Sequence, residues 1–199
     1  MPPKPKCTKE DIIKIAYEMT EGKGFESVTA RELGKRLGTS ATPIFTHFKN
    51  MHEVKLEVRK LAMQKFERYV ADALNYSPAF KQFGNQMIQF AKKEPKLFKL
   101  LFMEEHEGNR CFEDLFHELG DETAVCINVI QKDYDLTEEE AYKVFRQVWM
   151  HTFSICALEA NNVCHFSDAE ISEMLGMEFQ GTLVLVKSGQ YRPISIVKD

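Results

Sequence analysis

Between Thr29 and Asn50 the chain reads TARELGKRLGTSATPIFTHFKN, with hydroxyl, basic and histidine side chains set among apolar residues at helical spacing. The chemistry open to such a set is recognition of a polyanion. Cations and hydroxyls hold phosphates, and short side chains on a helix also reach base edges. Thr29 is placed to cap a helix, and Glu32, three residues on, to complete a capping box. Leu33 and Leu37 then stack at i and i+4 on one buried face, while Gly34 between them leaves room for a second helix to cross closely. Gly38 ends the helix by taking the left-handed conformation. A second helix is expected from Ser40 as N-cap, making Pro43 its third residue, where a missing N–H costs little. Ile44, Phe45 and Phe48 would supply its apolar face. Thr42, Thr46, His47 and Lys49 would look outward, with Thr39 in the turn before them. The N–H groups and dipole at a helix N-terminus add attraction for anions. Two helices at a tight turn also occur inside all-helical cores, so the geometry alone leaves a purely structural reading open.

Charge argues the same way. The net charge of −4 is wrong in sign for a nucleic-acid binder until it is divided along the chain. Residues 1–65 hold 13 Lys+Arg against 8 Asp+Glu, and the remainder holds 13 against 22. A basic head on an acidic body binds phosphate at one end and repels it elsewhere.

The elements that must position this stretch are helical. Thr8 with Asp11 opens a helix carrying Ile12, Ile15, Ala16 and Met19 at i, i+3, i+4 and i+7, and Phe25 and Val28 complete a small three-helix core. After Asn50 a long helix is expected to about Asn75, through Val54, Val58, Leu61, Ala62, Phe66 and Val70. Pro78 and Pro95 each mark a further helix start, the second almost wholly apolar from Leu97 to Met103 and therefore buried. Residues 104–110 read as a polar loop, and a helix follows from about Cys111 to Lys132. Thr137 with Glu140 and Ser167 with Glu170 are two more capping boxes that open long helices. No strand is expected. The fold class is all-α: an N-terminal three-helix helix-turn-helix domain at residues 1–50, then a second helical domain at 51–199.

At 199 residues, 44% hydrophobic and 28% charged, the composition is that of a soluble globular protein. No apolar run approaches the roughly 18–20 residues that span a bilayer, and nothing apolar follows the basic N-terminus, so no membrane or secretory segment is expected and the location is expected to be cytoplasmic. The five cysteines are odd in number and widely spaced, which implies neither a disulfide framework nor a zinc site. Idle thiols are the simple reading, with a redox switch at Cys156 or Cys164 as the other.

Thr29-Ala-Arg-Glu-Leu-Gly-Lys-Arg-Leu-Gly, followed by Ile44-Phe45-Thr46-His47-Phe48-Lys49-Asn50, resembles the N-terminal domain of the tetracycline-repressor (TetR) family of transcriptional regulators. The resemblance covers about the first 65 residues. The family usually has Tyr in place of Phe45 and Lys in place of Met51, both commonly phosphate contacts, and often Thr in place of Pro43. Gln147 to Leu158 is similar, more loosely, to a Trp-containing segment of the family's ligand-binding half. What the resemblance implies is a homodimer joined through the last two long helices, at 138–160 and 167–187. Its ligands would be a palindromic double-stranded DNA operator and a small apolar or aromatic effector. It implies base or groove contacts from Thr39, Ser40, Ala41, Thr42, Pro43 and Thr46, and phosphate contacts from Thr29, Arg31, His47 and Lys49. An effector pocket would be lined by Met63, Phe66, Met87, Phe90, Phe98, Phe102, Phe116, Trp149 and Phe153, each of which also reads as ordinary core.

Two other classes compete. An enzyme has no support from any Gly-rich phosphate loop, metalloprotease or nucleophile motif, and no cofactor or metal is implied. The nearest thing to a catalytic cluster is Cys164-His165 with Asp168, whose spacing fits no motif. The second is a helical homodimer whose head has lost DNA affinity and serves as a ligand- or protein-binding module.

Overall fold

The computed structural model describes residues 7–76, 78–105, 111, 114 and 121–190. The protein is all-α: nine α-helices and two 3-10 turns make up the regular structure of the described residues, which contain no strand. Packing divides the chain into two units, Met1–Ala71 with Gln89–Glu107, and Asp72–Ile88 with Gly108–Asp199.

In the first unit, α1 (Lys9–Lys23) starts at the reciprocal capping box of Thr8 and Asp11 and buries Ile12, Ala16 and Met19. Next come α2 (Ala30–Arg36), α3 (Thr42–His47) and the long α4 (Met51–Val70). Asn50 caps α4, its side chain accepting the Glu53 N–H at 3.0 Å. Val54, Val58, Ala62, Phe66 and Val70 recur every four residues along α4 and all face inward. The helix stops at Val70, short of the expected Asn75, and a 3-10 turn at Ala73–Asn75 takes over.

The unit is completed by the end of α5 (Ala79–Lys93) and by α6 (Pro95–Phe102), whose Leu97, Phe98, Leu100, Leu101 and Phe102 are buried as expected. Phe66 meets Phe90 and Phe102 edge-on, each at 5.3 Å between ring centres, and Phe98 lies 5.1 Å from Phe102. These rings form a packed core.

Two polar devices fasten α4. Arg59 donates to the carbonyls of Leu100 and of Leu101 (3.2 Å), which are orphan acceptors at the end of α6, and Lys55 lies 2.6 Å from Glu104 just beyond. Further along, Lys65 bridges Glu21 and Glu94, each at 2.6 Å. Burial works against its charge, but the two carboxylates outweigh that and hold the ammonium group well above its ordinary pKa.

The second unit contains the start of α5 with α7 (Asp121–Tyr134), α8 (Glu138–Ala160) and α9 (Asp168–Ser188). Both expected capping boxes form, at Thr137 with Glu140 and at Ser167 with Glu170. The central helix α8 packs on both α7 and α9 and buries residues along its whole length, from Ala141 to Ala160. By contrast α9 buries only Ile171 and Leu175. The helix expected from Cys111 is described from Asp121; Phe112, Leu115, Phe116, Leu119 and the C-terminal Ile194–Val197 lie outside the described residues. Cys156 is fully buried and desolvation pushes its thiol up, which works against the thiolate that the redox reading of that residue needs.

Candidate functional site

The turn between α2 and α3 is built by two glycines. A Cβ added to Gly34 would lie 2.9 Å from the backbone of Ser40 and 3.0 Å from the Thr39 carbonyl oxygen. Only a residue without a side chain permits that approach. Gly38 sits at φ +65°, and the Thr39 N–H bonds to the Gly34 carbonyl while the Gly38 N–H bonds to that of Lys35. This is a Schellman termination, and it aims the chain straight into α3.

The second helix begins one residue later than expected, with Ala41 as N-cap and Pro43 in the second helical position. A cap at Ser40 would face Pro43 at the position where a cap oxygen seeks an N–H, and proline has none. Ile44 and Phe48, four residues apart, are buried against the unit's core. Phe45 was expected beside them but is 49% exposed, because one helical step turns it about 100° away from Ile44. The outward face of α3 therefore carries Thr42, Phe45 and Thr46, with Lys49 exposed just after it. Thr39, Ala41 and Pro43 are half-buried, and Ser40 is exposed.

The other members of the set sit at the head's edges. Thr29 caps α2, its hydroxyl oxygen accepting the Glu32 N–H at 3.2 Å, which is the Thr29 half of the expected box. Arg31, Lys35 and Arg36 are exposed on α2. His47 faces the Cys7 carbonyl through Nε2 at 3.0 Å; a carbonyl only accepts, so Nε2 carries the proton and ties the start of α1 to the end of α3. Glu53 accepts the Lys49 backbone N–H at 2.8 Å, which fixes the main chain under that side chain.

The expected pocket residues separate. Phe66, Phe90, Phe98 and Phe102 belong to the packed core of the first unit. Met63 lines an open groove along α4 with His47, Leu56 and Arg59. Met87 and Trp149 line a cavity of about 340 Å³ within the second unit. Phe153 is half-buried and stacks on Trp149, 5.1 Å away and nearly parallel, and Phe116 lies outside the described residues.

That cavity has an aromatic end, where Phe179 lies 4.9 Å from Tyr134 and 6.3 Å from Phe80. Phe83 and Leu175 extend the apolar wall, and Gly84 opens it, the nearest atom to a Cβ there being Thr152 Oγ1 at 3.6 Å. The Thr152 hydroxyl donates to the Val148 carbonyl at 2.9 Å. Lys81 is the charged side chain of the lining, and it donates to Ser172 at 3.2 Å. Sequence reasoning missed Phe80, Tyr134, Leu175 and Phe179. The available signal was that α9 carries apolar residues on more than one face, so the helix assigned to dimerisation also had a face to give to a cavity.

The cluster nearest to catalysis dissolves into structure. Glu159, buried near the end of α8, accepts the Phe166 N–H at 2.8 Å and pairs with His165 Nδ1 at 2.9 Å, so it organises the turn that leads to α9. Among the described residues no three His, Cys, Asp or Glu side chains gather as a metal site, and no helix is long and apolar enough to cross a membrane.

Residues 12–58 match the family model described as bacterial regulatory proteins, tetR family. No curated protein matches the chain significantly. The matched span runs from Ile12 in α1 to Val58 in α4, and so contains the whole α2–α3 constellation described above. Residues 12–58, with the α2–α3 turn among them, are thus similar to the N-terminal DNA-binding domain of tetR-family bacterial regulatory proteins.

Proposed function

We propose that the protein is a repressor that binds a palindromic duplex operator as a homodimer and is released when a small apolar or aromatic molecule enters the cavity beside Trp149. Residues 1–50 act as the DNA-binding head and residues 51–199 as the effector-binding and dimerisation body. The observation that carries this reading is the outward face of α3, with no buried duty of its own, set beside the exposed cations of α2. Thr39 to Pro43 and Thr46 meet the groove, while Thr29, Arg31, His47 and Lys49 meet phosphates.

Two features support the dimer. On α9, Met177, Val184 and Leu185 are 70%, 65% and 47% exposed and lie at helical spacing on one side. Met150 on α8 is also exposed. Exposed apolar side chains gathered on one helix are costly to leave in water, and a second copy is the partner a symmetric operator demands.

Release requires the ligand to bind one shape better than the other. Ligand in the cavity would shift α4, changing the separation of the two recognition helices. In support, α5 gives Phe83 and Met87 to the cavity and Phe90 to the core on which α4 rests, and Arg59 grips the end of α6. Selection of the purified protein on a random duplex library at near-physiological salt tests the proposal. A recovered palindrome supports it. Binding without sequence preference would favour the other reading, a helical dimer whose head serves a protein or ligand partner.

A further inference from the structure

We propose that Phe45 is a specificity residue that reads thymine through its 5-methyl group in the major groove. The inference rests on the reading that α3 enters the operator, and names what it recognises there. The helix α3 reads Thr42-Pro-Ile-Phe-Thr-His47 and contains no Arg, Lys, Asn or Gln. Those are the side chains that make bidentate hydrogen bonds to guanine or adenine, so the usual polar code is missing from this helix.

The polar groups it does have are partly spent. Thr46 turns its hydroxyl back to the Thr42 carbonyl at 3.3 Å, and His47 holds the Cys7 carbonyl. At the centre of the outward face, between Thr42 three residues before and Thr46 one after, stands the Phe45 ring, about half in water. A phenyl ring has no hydroxyl to give a phosphate, and the flanking cations Arg31, Lys35, Arg36 and Lys49 are exposed and open to that role. What a ring can do against a base edge is bury an apolar group, and among the four bases the major groove offers one, the thymine methyl. Recognition by α3 is then mainly apolar, and each half-site carries at least one thymine that the ring covers.

The experiment removes the methyl without touching the protein. Each thymine of the selected operator is replaced in turn by deoxyuridine, and affinity is measured for the wild-type chain and for Phe45→Ala. The expected result is one position, repeated in both half-sites, where loss of the methyl weakens wild-type binding roughly fourfold per half-site and leaves Phe45→Ala unaffected. Because Phe45 is half-exposed, the variant keeps its fold, which its helical circular dichroism and melting midpoint check. Tolerance of deoxyuridine at every position by the wild type would overturn the inference while leaving the regulator reading intact. So would an equal loss in Phe45→Ala. Absence of any preferred duplex would overturn both.

Discussion

A single carbon added to Gly34 would sit 2.9 Å from the backbone of Ser40, closer than side chains approach main chain. The distance between α2 and α3 is therefore set by a hydrogen atom. Gly34→Ala gains up to about 1 kcal/mol of helix propensity. Against that, it must push the α3 turn away, at a cost of about 1–3 kcal/mol for an overpacked contact. The expected outcome in urea denaturation is a net loss of stability, with DNA affinity falling more than the fraction folded. Gly22→Ala is the control: a Cβ there meets nothing within 4 Å, so that variant should lose no stability.

Phosphate contacts and base contacts separate by salt. Lys49 is exposed, and its main chain is held by Glu53. Lys49→Ala should weaken binding to all sequences alike and reduce the salt slope by about 1. Thr42→Ala should change sequence preference and leave that slope unaltered. Equal affinity of Lys49→Ala and wild type at every salt concentration would remove Lys49 from the phosphate set.

The grip of Arg59 on the end of α6 depends on a fork of two donors reaching two carbonyls. A lysine supplies a single point of charge and cannot reproduce it. Arg59→Met should lower stability by about 1–3 kcal/mol, since the two carbonyls lose their charged donor. Arg59→Lys should recover only part of the loss, as read in denaturant midpoints.

Trp149 is the one tryptophan of the chain and lines the second unit's cavity, so its fluorescence reports the cavity directly. Naphthalene is an adequate apolar probe. It should quench or shift Trp149 emission in the wild type and leave Gly84→Leu unaffected, because the leucine fills the space that Gly84 opens toward Thr152 and Leu175. Gly84→Ala should bind the probe and be no less stable than wild type, its Cβ finding only ordinary contacts. An unchanged response in Gly84→Leu would show that the probe sits elsewhere.

Three helix starts depend on a carboxylate. Asp11 and Glu140 each take a backbone N–H and then a hydroxyl, from Thr8 and Thr137 respectively. Glu170 takes the hydroxyl and then the N–H of Ser167, and all three carboxyls are held below their ordinary pKa. A pKa lowered by folding gives stability that is complete above the unfolded carboxylate value, near 4, and is lost as pH falls through the folded one. Melting midpoints should therefore be level from about pH 7 to pH 5 for these groups and fall below about pH 4.5. Combining Thr137→Ala with Ser167→Ala should lower the midpoint at neutral pH and make the acid decline shallower.

The turn was readable in the sequence because its signals are local. Thr29, Gly34 and Gly38 each act within six residues of themselves, and so do the capping boxes at Thr137 and Ser167. The direction of Phe45 was not, because an aromatic residue next to Ile44 looks like core until the helix start is known to within one residue. The placement of four of the six phenylalanines expected around a ligand was also out of reach. Phe66, Phe90, Phe98 and Phe102 differ from Phe80 and Phe179 only in what packs against them, and a stripe of rings carries no mark that tells a filled core from a cavity. That distinction depends on Gly84 facing Thr152, two residues far apart in the chain.

The proposed function requires two heads reading one symmetric site. Its most direct test is titration of the selected duplex, and of the same duplex with one half-site scrambled, while the protein bound per duplex is counted by mass. Two protomers on the intact duplex, with affinity falling at least tenfold when one half is scrambled, is the predicted result. Equal affinity for both duplexes, or a single protomer at saturation, would contradict it.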